Sequence, residues 1–178
     1  SYDGMGEIET GMIAKGVDGN IEILQDKVYY PNSLGLIYSA ITYFLGWKHH
    51  CDEGIIMGLA PFGDYDSLIP GQKKTYLEVF KEIIIPKGKK DYEINLDYVD
   101  YHKKRDVWVS KKFKNIFGNV RKYSDPIDDH HKNIAAALQK ALEDIVLDQL
   151  SYFRKKTKLK KLCISGGVGL NCSLNGRI

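Results

Sequence analysis

Apolar residues recur at helical spacing over two long stretches of the chain. In the first, Leu34, Ile37, Tyr38, Ile41, Phe44 and Leu45 form a stripe that predicts a helix over 34–45. Asn32 or Ser33 caps its start and Gly46 ends it. In the second, Ile134, Ala137, Leu138, Ala141, Leu142, Ile145, Val146 and Leu150 give a wide apolar face and predict the longest helix, His130 to Lys156. Asp128 and Asp129 at its start and Arg154, Lys155 and Lys156 in its last turn complement the helix dipole. A shorter amphipathic helix is expected over Lys74–Ile85, stopped by Pro86. Ile8–Ala14 and Asn20–Leu24 are rich in β-branched residues and flank an Asp18-Gly19 turn, so the first thirty residues predict a hairpin or meander. Tyr92–Leu96 alternates like a strand, and Val107–Phe117 is mixed. Leu162, Cys163 and Ile164 are a run too short for a helix and suited to a buried strand. That strand meets Ser165-Gly166-Gly167 and then Val168–Leu174, which can coil into a helix. Long helix, strand and glycine turn together make one αβ crossover, so the fold class is α/β.

Length and charge narrow the picture. With 178 residues, 43% of them hydrophobic, the chain is one domain with a real core. A net charge of +3 is too small to argue for nucleic acid. The basic runs Lys103-Lys104-Arg105, Lys111-Lys112-Lys114 and Arg154–Lys161 read as solvated faces. Tyr92, Tyr98, Tyr101 and Trp108, interleaved with them, are expected to pack rather than to stack on bases. Cys51, Cys163 and Cys172 are an odd number without CxxC spacing, which fits a reducing, cytoplasmic setting, with Cys163 buried in its strand. No run approaches the length of a membrane span and no signal peptide is present, so no membrane role is expected. The chain opens on Ser-Tyr-Asp-Gly and closes on Arg177-Ile178 inside an expected helix, which reads as a piece of a larger protein.

The candidate chemistry lies at the two ends. Gly166 and Gly167 let the backbone take positive φ and leave no Cβ in a ligand's way. Free amides at the following helix start would favour an anion. Asn171 and Asn175, four apart, would share a helix face suited to a sugar or base edge. The same residues fit a plain strand-to-helix turn equally well. Asp3, between apolar and glycine residues at a strand end, suits a hard or borderline cation, or an Asx-turn that bonds its own backbone. His49, His50, Cys51 and Asp52 match no zinc spacing.

Five strings carry a resemblance to a family. SGGVGLNCSLNGRI (165–178) is similar to the SGGVALNCxxNGRI segment of the O-carbamoyltransferases of nodulation and antibiotic tailoring, with Gly169 for Ala. YPNSLGLIYSAITYFLG (30–46) resembles YPHSLGLLYSAxTxYLG, with Asn32 for His. DEGIIMGLAPFG (52–63) resembles GDEYKVMGLAPYG, with Ile55 for Lys, and NIAAALQKALED resembles the helix that precedes the glycine turn. Asp3-Gly4-Met5-Gly6-Glu7 looks like the DGxGE turn with which actin and sugar-kinase folds hold phosphate or metal.

The resemblance implies an incomplete ribonuclease H-like, actin/sugar-kinase-like domain over 1–178, with 64–125 a variable, mostly helical insertion. It implies an absent second domain that makes carbamoyl-adenylate from ATP and carbamoyl phosphate, and transfer of the carbamoyl group to a small-molecule hydroxyl acceptor. It implies nucleotide contacts from Gly4, Gly6, Glu53, Ser165, Gly166, Gly167, Val168, Asn171 and Asn175, and a divalent metal, iron foremost, with Asp3 a ligand and its other ligands outside the chain. A homodimer is a further expectation, and residues 1–178 alone are expected to be inactive. The alternatives are an ATPase or sugar kinase of the same fold and a scaffold domain that has lost the site.

Overall fold

The computed structural model describes residues 1–178, in which six short strands and six α-helices alternate unevenly. The elements are β1 (Glu9–Gly11), β2 (Ala14–Val17), β3 (Asn20–Ile23), β4 (Val28–Tyr29), α1 (Leu34–Phe44), α2 (Glu53–Leu59), α3 (Tyr76–Ile83), β5 (Ile84–Lys87), β6 (Asp91–Ile94), α4 (Lys111–Phe117), α5 (Asp129–Thr157) and α6 (Cys172–Asn175). The strands form three two-stranded antiparallel sheets, β1 with β4, β2 with β3 and β5 with β6. The chain is a mixed α/β protein of small sheets and helices.

Both long helices form where periodicity places them. Ser33 caps α1, its hydroxyl accepting from the Leu36 amide at 3.0 Å. α1 is buried on nearly every side, not along one stripe, which makes it the central element. Asp128 caps α5 in a reciprocal box with His131, so the helix starts one residue before its first histidine. Thr75 and Glu78 form the same box on α3. Helix α3 ends before Pro86, which stands in edge strand β5 opposite Tyr92, where its missing N–H costs little. The hairpin turn is at Asp18-Gly19, as its dipeptide predicts, although the strand expected over Ile8–Ala14 is split into β1 and the start of β2.

One core joins these parts. Leu34, Ile37, Ile41 and Phe44 of α1 meet Ile134, Leu138, Leu142 and Val146 of α5, and 64–125 adds Tyr76, Phe80, Ile83, Phe113 and Phe117. The segment expected as a helical insertion is therefore two helices and a hairpin built into the core. Tyr92, Tyr98 and Trp108 are buried with it, which accounts for the aromatic residues among the basic runs.

The end of the chain departs from expectation. Residues 158–165 form no strand, Leu162 is 51% exposed, and Cys163 is exposed rather than buried. An extended segment becomes a strand only when a neighbour pairs with it, and none of the six strands lies alongside this one. The expected helix over Val168–Leu174 is instead a 3-10 turn, Gly167–Leu170, followed by the four-residue α6.

Candidate active site

The first and last turns of the sequence lie against each other. The Tyr2 amide donates to the Ser165 carbonyl at 3.0 Å, and the Val168 amide donates to the Tyr2 carbonyl at 3.2 Å. The Gly167 amide donates to Asp3 Oδ1 at 3.3 Å, an oxygen that also accepts from the Gly4 amide at 2.7 Å. Gly166 makes this approach possible. Its φ is +88°, and a Cβ there would collide with the Tyr2 carbonyl oxygen. On the other side, the Ser33 hydroxyl donates to the carbonyls of Asp3 and Gly4 at 2.9 and 2.6 Å, seating the opening turn on the start of α1. Gly35 permits that contact, since a Cβ would stand 2.5 Å from the Gly4 nitrogen.

A cavity of about 490 Å3 opens between these turns, α1 and α2. Of the residues expected to bind a nucleotide or metal, Asp3, Gly4, Glu53, Gly167, Val168 and Asn171 line it, whereas Gly6, Ser165, Gly166 and Asn175 do not. Gly166 acts on the turn's path, and the Gly6 amide closes a turn onto the Glu9 carbonyl. The turn amides expected to face an anion are engaged, by Tyr2 and Asp3 as above. Asn171 and Asn175 do not share a helix face, because Asn171 is the buried cap of α6, accepting from the Leu174 amide at 2.9 Å. Asn175 Nδ2 donates to the Gly169 carbonyl at 2.7 Å. No Lys or Arg lines the cavity, so its charged groups are the carboxylates of Asp3 and Glu53 beside His50.

A buried polar chain supports the floor. Tyr38 Oη donates to Gln139 Oε1 at 3.0 Å, and Asn171 Nδ2 donates to the same oxygen at 2.9 Å. Gln139 Nε2 donates to Asn171 Oδ1 at 3.0 Å and to Glu143 at 2.8 Å, and Arg177 closes the chain on the Glu143 carboxylate. Burial, with Glu143 and Glu53 nearby, pushes the Tyr38 hydroxyl well above the usual tyrosine range, so it stays a neutral donor. A second cavity of about 450 Å3 adjoins the first through Asp3, Gly4 and His50, and its walls are Met5, Tyr30, Leu36, Tyr101 and Trp108. Tyr101 and Trp108 are near neighbours in the chain, whereas Tyr30 precedes Tyr101 by 71 residues, and no local pattern joins it to them.

Of the ligands expected for a metal, the chain holds Asp3 alone. Asp3 has no companion ligands, and no group of three or more His, Cys, Asp or Glu side chains lies close enough to hold an ion. The residues present do not fit a metal by themselves.

Comparison with known proteins decides the family. The model of the carbamoyltransferase N-terminus matches residues 1–178. The chain belongs to that family. It is 33% identical, over its whole length, to the nodulation protein NolO of Bradyrhizobium diazoefficiens, of which it covers 29%, and to NolNO of Sinorhizobium fredii, of which it covers 23%. It is also 33% identical over 99% of its length to an uncharacterized Synechocystis protein, of which it covers 27%. This carbamoyltransferase chain thus spans less than a third of these relatives' length, and the joined turns lie inside the matched region. None of its helices is long and apolar enough to cross a membrane.

Proposed function

We propose that this chain is part of the amino-terminal, actin/sugar-kinase-like domain of a cytoplasmic O-carbamoyltransferase. In that protein a separate domain forms carbamoyl-adenylate from ATP and carbamoyl phosphate, and the group passes to an acceptor hydroxyl. The observation that carries the reading is the meeting of the two family turns, Asp3-Gly4 and Gly167-Val168, at one cavity of ligand size.

In this reading the larger cavity takes the donor and the aromatic one the body of the acceptor, the carbamoyl carbon lying where they join at Asp3, Gly4 and His50. Asp3 is the one ligand this chain offers a divalent metal. A homodimer is the proposed assembly.

The test uses the whole protein with 14C-carbamoyl phosphate, ATP and a panel of hydroxyl acceptors. Label is expected in an acid-stable ester, dependent on ATP and accompanied by AMP. Transfer of the ATP γ-phosphoryl group to acceptor instead would make the protein a kinase. The Asp3→Ala variant is expected to fold, to keep ATP-dependent pyrophosphate release and to lose transfer by 100-fold or more, a factor that corresponds to about 2.7 kcal/mol. Full transfer by Asp3→Ala would refute the role of the opening turn.

A further inference from the structure

The loop that leaves α1 holds His50 at φ +61°, a left-handed conformation uncommon outside glycine. Three contacts maintain it. The His50 amide donates to Glu53 Oε1 at 2.6 Å. The ring packs edge-on against Trp108, with centroids 5.2 Å apart at 70°, and against His49 at 4.9 Å and 82°. Nδ1 lies 3.5 Å from Ser39 Oγ. Ser39 donates its only hydroxyl proton to Glu53 Oε1 at 2.5 Å, so toward His50 it can only accept. Nδ1 then carries the ring proton and Nε2 is left with a free lone pair. Nε2 makes no hydrogen bond within the chain, and His50 lines both cavities. Its 3.5 Å contact is long, as such contacts often are before substrate tightens them.

The charged and titratable groups that share its cavities are Asp3 on the opening turn, Glu53 on α2, Cys51 on its own loop and the hydroxyls of Tyr30, Tyr38 and Tyr101, while Lys48 and Asp106 act on the neighbouring His49. Burial, then the neighbouring His50, holds His49 below the usual histidine range. Asp3 makes no hydrogen bond to His50, its Oδ1 being held by the Gly4 and Gly167 amides.

We propose that His50 Nε2 takes the proton of the acceptor hydroxyl, with Ser39 and Glu53 as positioning residues that fix its tautomer. The proposal rests on the carbamoyl-transfer reading. In the step, the acceptor oxygen bonds to the carbamoyl carbon, the bond from that carbon to the adenylate phosphate oxygen breaks, and its electron pair leaves on AMP. The hydroxyl proton moves to Nε2 and passes from there to solvent, to which His50 is open.

Two measurements on the whole protein test this separately. The first is 15N NMR of the histidine rings at pH 8, with His50 assigned through His50→Asn, a variant whose residue tolerates the left-handed backbone. Wild type is expected to show His50 protonated on Nδ1, and Ser39→Ala to shift it toward the other tautomer. A wild-type ring protonated on Nε2 would overturn the proposal whatever the activity. The second is transfer from 14C-carbamoyl phosphate and ATP to methyl α-glucopyranoside, with water as the competing nucleophile read as labelled CO2. His50→Asn is expected to lower kcat by roughly 10²–10⁴-fold, to remove the acid limb of the pH profile, and to leave pyrophosphate release unchanged. Imidazole is expected to rescue His50→Ala in part. Wild-type kcat and acid limb in His50→Asn would overturn the base assignment alone. The expected tautomer with no labelled ester or CO2 from wild type would bring down the transfer reading, and the base with it.

Discussion

Gln139 has its side chain occupied at both ends inside the protein. Its oxygen accepts from Tyr38 and Asn171, and its nitrogen donates to Asn171 and Glu143. Replacing it with Leu keeps the volume but strands those partners away from water. A stranded buried polar group costs about 1–3 kcal/mol, so Gln139→Leu is expected to lose at least that much in urea unfolding. Gly35 carries a different constraint, because the backbone of Gly4 occupies the place of its Cβ. Gly35→Ala would gain helix propensity on an exposed helix, yet here it is expected to destabilise by about 1–3 kcal/mol and to displace Asp3. Thermal unfolding with the transfer assay would check both effects, and a more stable, fully active Gly35→Ala would contradict the packing. Sequence reading missed both residues as supports of the site. Gln139 looks like any polar position in a helix, and its partner Asn171 is 32 residues away.

At the scale of elements, local physics was readable wherever it was locally sufficient. The apolar periodicity and acidic start of α5, the serine before α1 and the Asp-Gly turn between β2 and β3 all specify structure from a few adjacent residues. Leu162–Ile164 shows the opposite case. Its composition is strand-like, but a strand exists only through a neighbour, and within residues 1–178 it has none. The cap of α5 gives an element-scale prediction. Asp128→Ala is expected to cost about 1 kcal/mol, measured by denaturant titration at pH 7. Burial alone would raise the Asp128 carboxyl, but hydrogen bonds and charge from His131 outweigh it and hold the group below the usual 3.8. With the folded value depressed, the unfolded chain binds more protons in that range. The contribution of Asp128 is thus present above about pH 4 and lost as pH falls through the folded value. The gap between wild type and Asp128→Ala is expected to close on acidification. A constant gap would show that the carboxylate's charge plays no part.

For the whole molecule, the candidate site was legible as to its turns and not as to its walls. Asp3, Gly4, Glu53, Gly167, Val168 and Asn171 were placed at the cavity by motif, whereas Ser39, His50 and the Tyr30–Tyr101–Trp108 wall were not. Those walls depend on packing between segments that share no pattern. The motif also suggested free amides for a phosphate, which the chain instead uses to bind its own opening turn. That internal use has a consequence for synthesis and folding. The Gly167–Asp3 contact closes across 164 residues, among the longest separations a chain of this size permits. Contacts of that kind form late, because the chain between them must be ordered first. A chain still emerging from the ribosome would have its central helices and the aromatic cavity before the larger one, which would close only once the Gly166-Gly167 turn was made.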